Sequence, residues 1–249
     1  MNQTIKTMLN HRSIRKFSGE KLTSDQKEMI LKSAMQASTS SHVMAYTIIG
    51  VTDDHLKSDL RAVSGHPHVE NNGHLFVFCA DLQRNYQVTA ADKEESVKQN
   101  IESTEQFIVA TIDATLAAQN ASIAAESMGL GICYIGSLRN DIKRVDELLE
   151  LPEYVIPLFG LAVGHPDHKP EIKPRLPLEA IYHENKYDDD KYKQGQLVKE
   201  FDRYLKTYYQ SRSTNKKIST WTEQMENKYK VPTRMDVTPF VKSKKLNLH

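Results

Sequence analysis

The chain has 249 residues, 39% of them hydrophobic and 26% charged, enough to build a sizeable core as one large domain or two small ones. Its 33 basic and 32 acidic residues leave a formal net charge of +1, which excludes a strong field for nucleic acid or an anionic membrane. Cys79 and Cys133 make no disulfide framework. Both sit in apolar runs, as small buried thiols on strands do. With no signal peptide and no apolar run of transmembrane length, a reducing cytoplasm is the expected compartment.

A short helical turn, Thr4 to Leu9, leads into His11-Arg12-Ser13-Ile14-Arg15-Lys16-Phe17. In extended chain His11, Ser13 and Arg15 share a face, and that face offers donors and positive charge suited to a phosphate. A solvated basic loop is the competing reading of this cluster by itself. Ser24 is the expected N-cap of a helix running to Ala37, with Met29, Ile30 and Ala34 inward. Four hydroxyls follow in Ser38-Thr39-Ser40-Ser41. Apolar, β-branched or aromatic runs predict strands at 46–51, 75–80, 132–135 and 157–163. Between them fall a short helix at 54–63 and a long one from about Glu102 to Met128. Ala110, Ala114, Ala117, Ala118, Ala121, Ala124 and Ala125 mark the long helix as one packed closely on several sides, and Gly129 is its expected cap. Asn140 is expected to cap a further helix reaching Leu149. In Lys173-Pro174-Arg175-Leu176-Pro177 two prolines present a second pair of cations rigidly. Beyond Tyr182 the composition turns polar. Leu197, Phe201, Tyr204, Leu205 and Tyr208 still form a helical stripe, which is expected to cover the main body or a partner. The pattern predicts an α+β domain of two or three layers, with a doubly wound sheet as the alternative.

Gly129, Gly131 and Gly136 lie between helix and strand and at the strand's exit, so they are no dinucleotide fingerprint, which needs strand, glycines, then helix. His66-Pro67-His68 and His165-Pro166-Asp167-His168 are Pro-bearing turns without the i, i+4 spacing of a hydrolytic zinc site. No activated nucleophile stands out, and Cys133 is expected to pack with no cation near it.

The His-Arg-Ser-Ile-Arg segment, the serine run, Ala-Ala-Glu-Ser-Met-Gly-Leu-Gly at 124–131, Tyr134-Ile135-Gly136, Leu158-Phe159-Gly160 and Lys-Pro-Arg-Leu-Pro occur in this order. Together they resemble the FMN-containing nitroreductase and flavin reductase family, in its NADPH-preferring branch. The resemblance runs from the first helix to about Arg212. It implies a central mixed sheet flanked by helices (residues 1–182) and a C-terminal extension (183–249) that wraps the partner of a homodimer. It also implies ping-pong transfer of a hydride from NADPH through FMN N5 to a nitroaromatic, a quinone or free flavin. His11, Ser13, Lys173 and Arg175, with Arg12 beside them, match the phosphate contacts, and Arg15 matches the contact to the pyrimidine edge. Thr39, Ser40 and Ser41 match a serine run that contacts the flavin, often from the partner. Tyr134, Ile135, Gly136 and Ser137 match the stretch over one flavin face, and His66 matches a pyrimidine contact. Arg212, Lys216 and Lys217 match the segment that recognises the NADPH 2′-phosphate.

Three departures stand out. Thr39 replaces a serine, His66 a glutamine, and Ser137 a second glycine whose replacement threatens to crowd the flavin. Two other classes compete with the reductase: a flavin store or sensor with little turnover, and a metal-dependent hydrolase using the histidine turns. Flavin colour, and its bleaching by NADPH, separates them.

Overall fold

The computed structural model describes residues 1–211 and 219–249. They form two units, residues 1–170 with 234–249 and residues 171–233. In the first unit β1 (Tyr46–Val51), β2 (His74–Asp81), β3 (Gly131–Ile135) and β4 (Val155–Gly164) make one sheet in the order β1-β2-β4-β3. β2 is buried at every position and β4 at nearly every one, the unbroken apolar pattern of strands covered on both faces. The expected mixed sheet is corrected. All pairings among the four strands are antiparallel, and the parallel contact is a single bridge between Ser13 and Ile132 at the β3 edge. β4 returns between β2 and β3 and runs against both of them.

One face of the sheet meets α2 (Ser24–Met35) and α6 (Thr104–Ser127). Six of the seven alanines named above are fully buried on α6, and Ala124 is half-buried. Their small side chains let the helix lie close to both the sheet and α2. By length and composition α6 is apolar enough to cross a membrane, contrary to the expectation that no run reaches that length. Here its alanine face is filled by sheet and helix instead. The other face meets α3 (Asp54–Ser64) and α7 (Ile142–Leu148). α1 (Gln3–Leu9) opens the chain, and between β2 and α6 lie α4 (Gln83–Val88) and α5 (Glu95–Ile101).

Several expected boundaries move by a residue or two because a neighbouring side chain makes the better cap. Thr23, not Ser24, caps α2, in a reciprocal capping box with Gln26. Asp141, not Asn140, caps α7 by accepting from the Arg144 N–H. Ser103 caps α6, and Glu102 instead ends α5. Gly129 ends α6 with φ +79°, as expected. Met29 is 55% exposed rather than inward; Ile30 and Ala34 carry the buried face of α2.

The last residues return to the first unit. α10 (Val237–Ser243) and the turn after it bury Val241 and Leu246 in the core. Lys244 Nζ donates to Asp146 Oδ1 and to the Leu151 carbonyl, both at 2.8 Å. In the second unit α8 (Lys191–Ser211) buries Phe201, Leu205 and Tyr209 against Leu176 and against Trp221 of α9 (Trp221–Lys230). The stripe on α8 thus has apolar partners within its own unit, while Tyr204 is exposed.

The basic segment is held by one contact with no slack. A Cβ on Gly131 would come within 2.6 Å of Ile14 Cγ1. Gly131→Ala is expected to cost about 1–3 kcal/mol through overpacking. Urea unfolding checks this, and the double variant with Ile14→Ala should unfold less readily than the sum of the single losses implies.

Candidate active site

Residues 11–18 run along the edge of the sheet. The Ile14 N–H donates to the Ile132 carbonyl at 2.8 Å and the Ser18 N–H to the His165 carbonyl at 2.9 Å, while Asp167 returns a bond to the Lys16 carbonyl at 3.0 Å. Ile14 is 4% exposed, and the polar residues around it are left toward solvent and cavities. His11 Nδ1 pairs with Glu126 Oε1 at 2.8 Å, so the glutamate of the 124–131 motif orients this ring and leaves its Nε2 available.

Arg15 lines a cavity of about 290 Å³ together with His66, Tyr134, Ile135, Gly136 and Ser137. Six residues singled out in the sequence converge there. His68, Cys133 and Arg234 complete the wall. Arg234 donates through Nε and Nη2 to Asn140 Oδ1 at 3.1 and 2.8 Å, which fixes its guanidinium beside the cavity. Behind Gly136 stands Arg139, whose Nη2 would lie 3.3 Å from a Cβ at that position.

The two departures in the wall have local partners. Ser137 Oγ lies 2.8 Å from Ser64 Oγ, so its hydroxyl is engaged by α3. His66 stacks on His68, ring centroids 5.2 Å apart at 17°. His68 Nε2 lies 3.7 Å from Cys133 Sγ. Arg15 stands near enough to Cys133 to favour its thiolate, correcting the reading that no cation is near, yet burial outweighs this and pushes the thiol up. The Tyr134 hydroxyl accepts from Ser122 Oγ at 2.8 Å, and burial pushes this phenol up as well.

Other named residues lie elsewhere. Arg12 lines a separate cavity of about 640 Å³ with Glu126, Gly129 and Lys169. Thr39, Ser40 and Ser41 do not line the Arg15 cavity. Lys173 and Arg175 belong to the second unit, where Arg175 Nη1 donates to the Lys173 carbonyl at 2.7 Å. Arg212, Lys216 and Lys217 lie outside the described residues. Arg234 and His68 had no functional signal of their own. The first sits beyond the stretch carrying the resemblance, and the second reads as half of a surface histidine turn.

The wall combines two cations, neutral hydroxyls and an imidazole pair with an apolar strand end. That donor set fits a ring with an apolar face and a polar edge that gains negative charge on reduction. Over residues 8–165 the chain matches the description "Nitroreductase family", and over 173–249 "Nitroreductase family, C-terminal domain". The chain belongs to the nitroreductase family. It is 50% identical over 248 residues to a Bacillus subtilis protein named FMN reductase (NADPH), covering 99% of each chain. Among solved structures it resembles the NfrA1 nitroreductase from B. subtilis, with a TM-score of 0.94 and 49% identity over 99% of this chain and 100% of that one. It also resembles the NADPH:FMN oxidoreductase from Vibrio harveyi complexed with NAD+, with a TM-score of 0.87 and 36% identity over 100% of both. Within this nitroreductase fold the Arg15 cavity is the candidate active site.

The histidines of the fold make its stability depend on pH. His68 is pushed down to about 4 by burial, then by His66 and Arg15. His74 is pushed down to about 4 by burial, then by Lys27, Lys57 and Lys21. An unfolded histidine takes its proton near pH 6.5. As pH falls from about 6.5 toward 4 the unfolded chain therefore binds protons that the folded chain refuses, and stability falls, levelling off below both values. The slope is at most about 1.4 kcal/mol per pH unit for each histidine. Urea unfolding at pH 7 and pH 5 measures it, and His68→Gln and His74→Gln should each flatten it; an unchanged slope in both refutes the assignment.

Proposed function

We propose that this nitroreductase is a cytoplasmic homodimer that takes electrons from NADPH and passes them in ping-pong order to nitroaromatics, quinones or free flavin. The convergence of Arg15, His66, Tyr134, Ile135, Gly136 and Ser137 on one cavity carries this reading. The protein is an NADPH-dependent FMN oxidoreductase. FMN, when bound, supplies the two-electron chemistry. The chain's own part is electrostatic. Arg15 and Arg234 place fixed positive charge where a reduced ring gains negative charge, in a cavity whose histidine pair includes a neutral His68. Glu126 holds His11, which with Ser13, Lys173 and Arg175 is proposed to take the phosphate.

In this reading residues 1–182 carry the flavin, and 183–249 supply partner contacts and the NADPH site of Arg212, Lys216 and Lys217. The serine run at 39–41 belongs to the flavin site of the partner, which accounts for its absence from the cavity of its own chain. Ile108, Ile112 and Leu116 support the dimer. They are exposed at four-residue spacing on α6, and such a stripe calls for a second surface. The buried free thiols Cys79 and Cys133 accord with a reducing compartment.

The purified protein is expected to be yellow and to bleach with NADPH under anaerobic conditions; a yellow protein that NADPH leaves unchanged would be a store. Arg175→Ala should loosen FMN at least tenfold, because a charge-assisted contact contributes about 1.5–3 kcal/mol. Full flavin retention after dialysis of that variant overturns the phosphate assignment. Ile112→Glu should shift the sedimentation coefficient to that of a monomer and release flavin, while an unaltered dimer places the interface elsewhere.

A further inference from the structure

The loop at 39–45, between α2 and β1, is held in a costly backbone form. Ser41, His42 and Met44 have φ of 48°, 60° and 51°. None is glycine, so the left-handed region is strained at each. A loop that only had to join helix to strand could relax, and strain that persists is over-determined by its surroundings.

The restraint comes from Asp113 in the middle of α6. This carboxylate is fully buried at 0% exposure. Its Oδ1 accepts from the Ser40 N–H at 2.9 Å and its Oδ2 from the Ala45 N–H at 3.1 Å. The two bonds grip the strained stretch at both ends. Lesser ties accompany them: the Met44 N–H donates to Thr39 Oγ1 at 3.1 Å, and Arg84 and Asn85 donate to the Met44 and Val43 carbonyls, each at 3.3 Å. Asp113 alone reaches across the loop with a charge that nothing but backbone amides satisfies in these bonds. Asparagine cannot replace it, since one of its two groups is a donor and would face a donor.

We propose that Asp113 is a positioning residue for flavin binding, gripping Ser40 and Ala45 so that Ser40 and Ser41 keep the strained form in which they meet the cofactor. This rests on the reading above that the serine run contacts FMN.

The test is the dissociation constant of FMN for the flavin-free full-length protein, from fluorescence titration, with visible circular dichroism of the refilled protein and urea unfolding in parallel. Asp113→Asn is expected to weaken FMN about tenfold or more, by loss of charge-assisted bonds to a buried carboxylate. Adding Met44→Gly, which tolerates positive φ, should recover at least about threefold of that loss. A purely structural role would move the urea midpoint and give no such recovery. Ser40→Pro provides a route that leaves the core untouched. Residue 40 opens a 3-10 turn and Thr39 is extended (φ −132°, ψ 147°), so proline fits and removes only the N–H that Asp113 accepts together with the hydroxyl. It should bind FMN at least about threefold more weakly than Ser40→Ala, which removes the hydroxyl alone. If Asp113→Asn fails to fold, this pair decides. Wild-type affinity in folded Asp113→Asn, or equal affinity in Ser40→Pro and Ser40→Ala, overturns the proposal. If Ser40→Ala and Ser41→Ala leave both affinity and the visible signal unchanged, the placement of the loop at the flavin fails first, and the proposal with it.

Discussion

The site depends on the docking of Ile14 against the β3 edge. Its N–H bonds to the Ile132 carbonyl, and its side chain fills the space that Gly131 leaves by having no Cβ. Burying an isoleucine contributes about 1.5–3 kcal/mol, more than the exposed polar residues on either side contribute by pairing. One apolar anchor therefore fixes the register of a charged segment. Arg12 and Arg15, three residues apart, line different cavities as a result. A slip of one residue would turn Arg15 away from Tyr134 and Ile135.

Around that anchor several polar groups in and near the cavity are restrained by neighbours. Asn140 orients Arg234, Ser64 shares a hydrogen bond with Ser137, Ser122 donates to the Tyr134 hydroxyl, and outside the cavity Glu126 holds His11. Burial keeps His68 and Cys133 neutral, so the arginines are the lasting charges of the cavity wall. That asymmetry is what a reduced, negatively charged ring requires, and it needs no acid in the wall.

The strands were legible because each is an apolar run bounded by turn residues, and the central helix because its alanines recur with helical period. Caps were legible only to within a residue or two, since Thr23 and Asp141 compete with equally good neighbours and geometry decides between them. Met29 lies next to the buried face of α2, and a pattern of single residues does not separate inner from bordering positions. The cavity wall was legible where the family motifs lie. Arg234 was not, because its role depends on a chain reversal that local pattern does not encode. The serine run was legible as a motif, but its distance from the Arg15 cavity was not, since local pattern does not encode which cavity a loop faces.

The returning C-terminus changes how the extension should be understood. Val241 and Leu246 enter the core, and Lys244 neutralises Asp146 at the end of α7. Arg234, just ahead of them, holds a positive φ of 56° and lines the candidate active site. The segment 171–233 is therefore an excursion tied at both ends into the first unit by the chain itself, not a free tail. Removing everything beyond Tyr182 would strip an arginine from the cavity and two apolar side chains from the core, whatever the oligomeric state. Loss of flavin on such a truncation says nothing about a partner. Ile108, Ile112 and Leu116 are untouched by such a truncation: they lie on α6, are exposed, line no part of the cavity wall, and form the apolar stripe on which the proposed dimer rests.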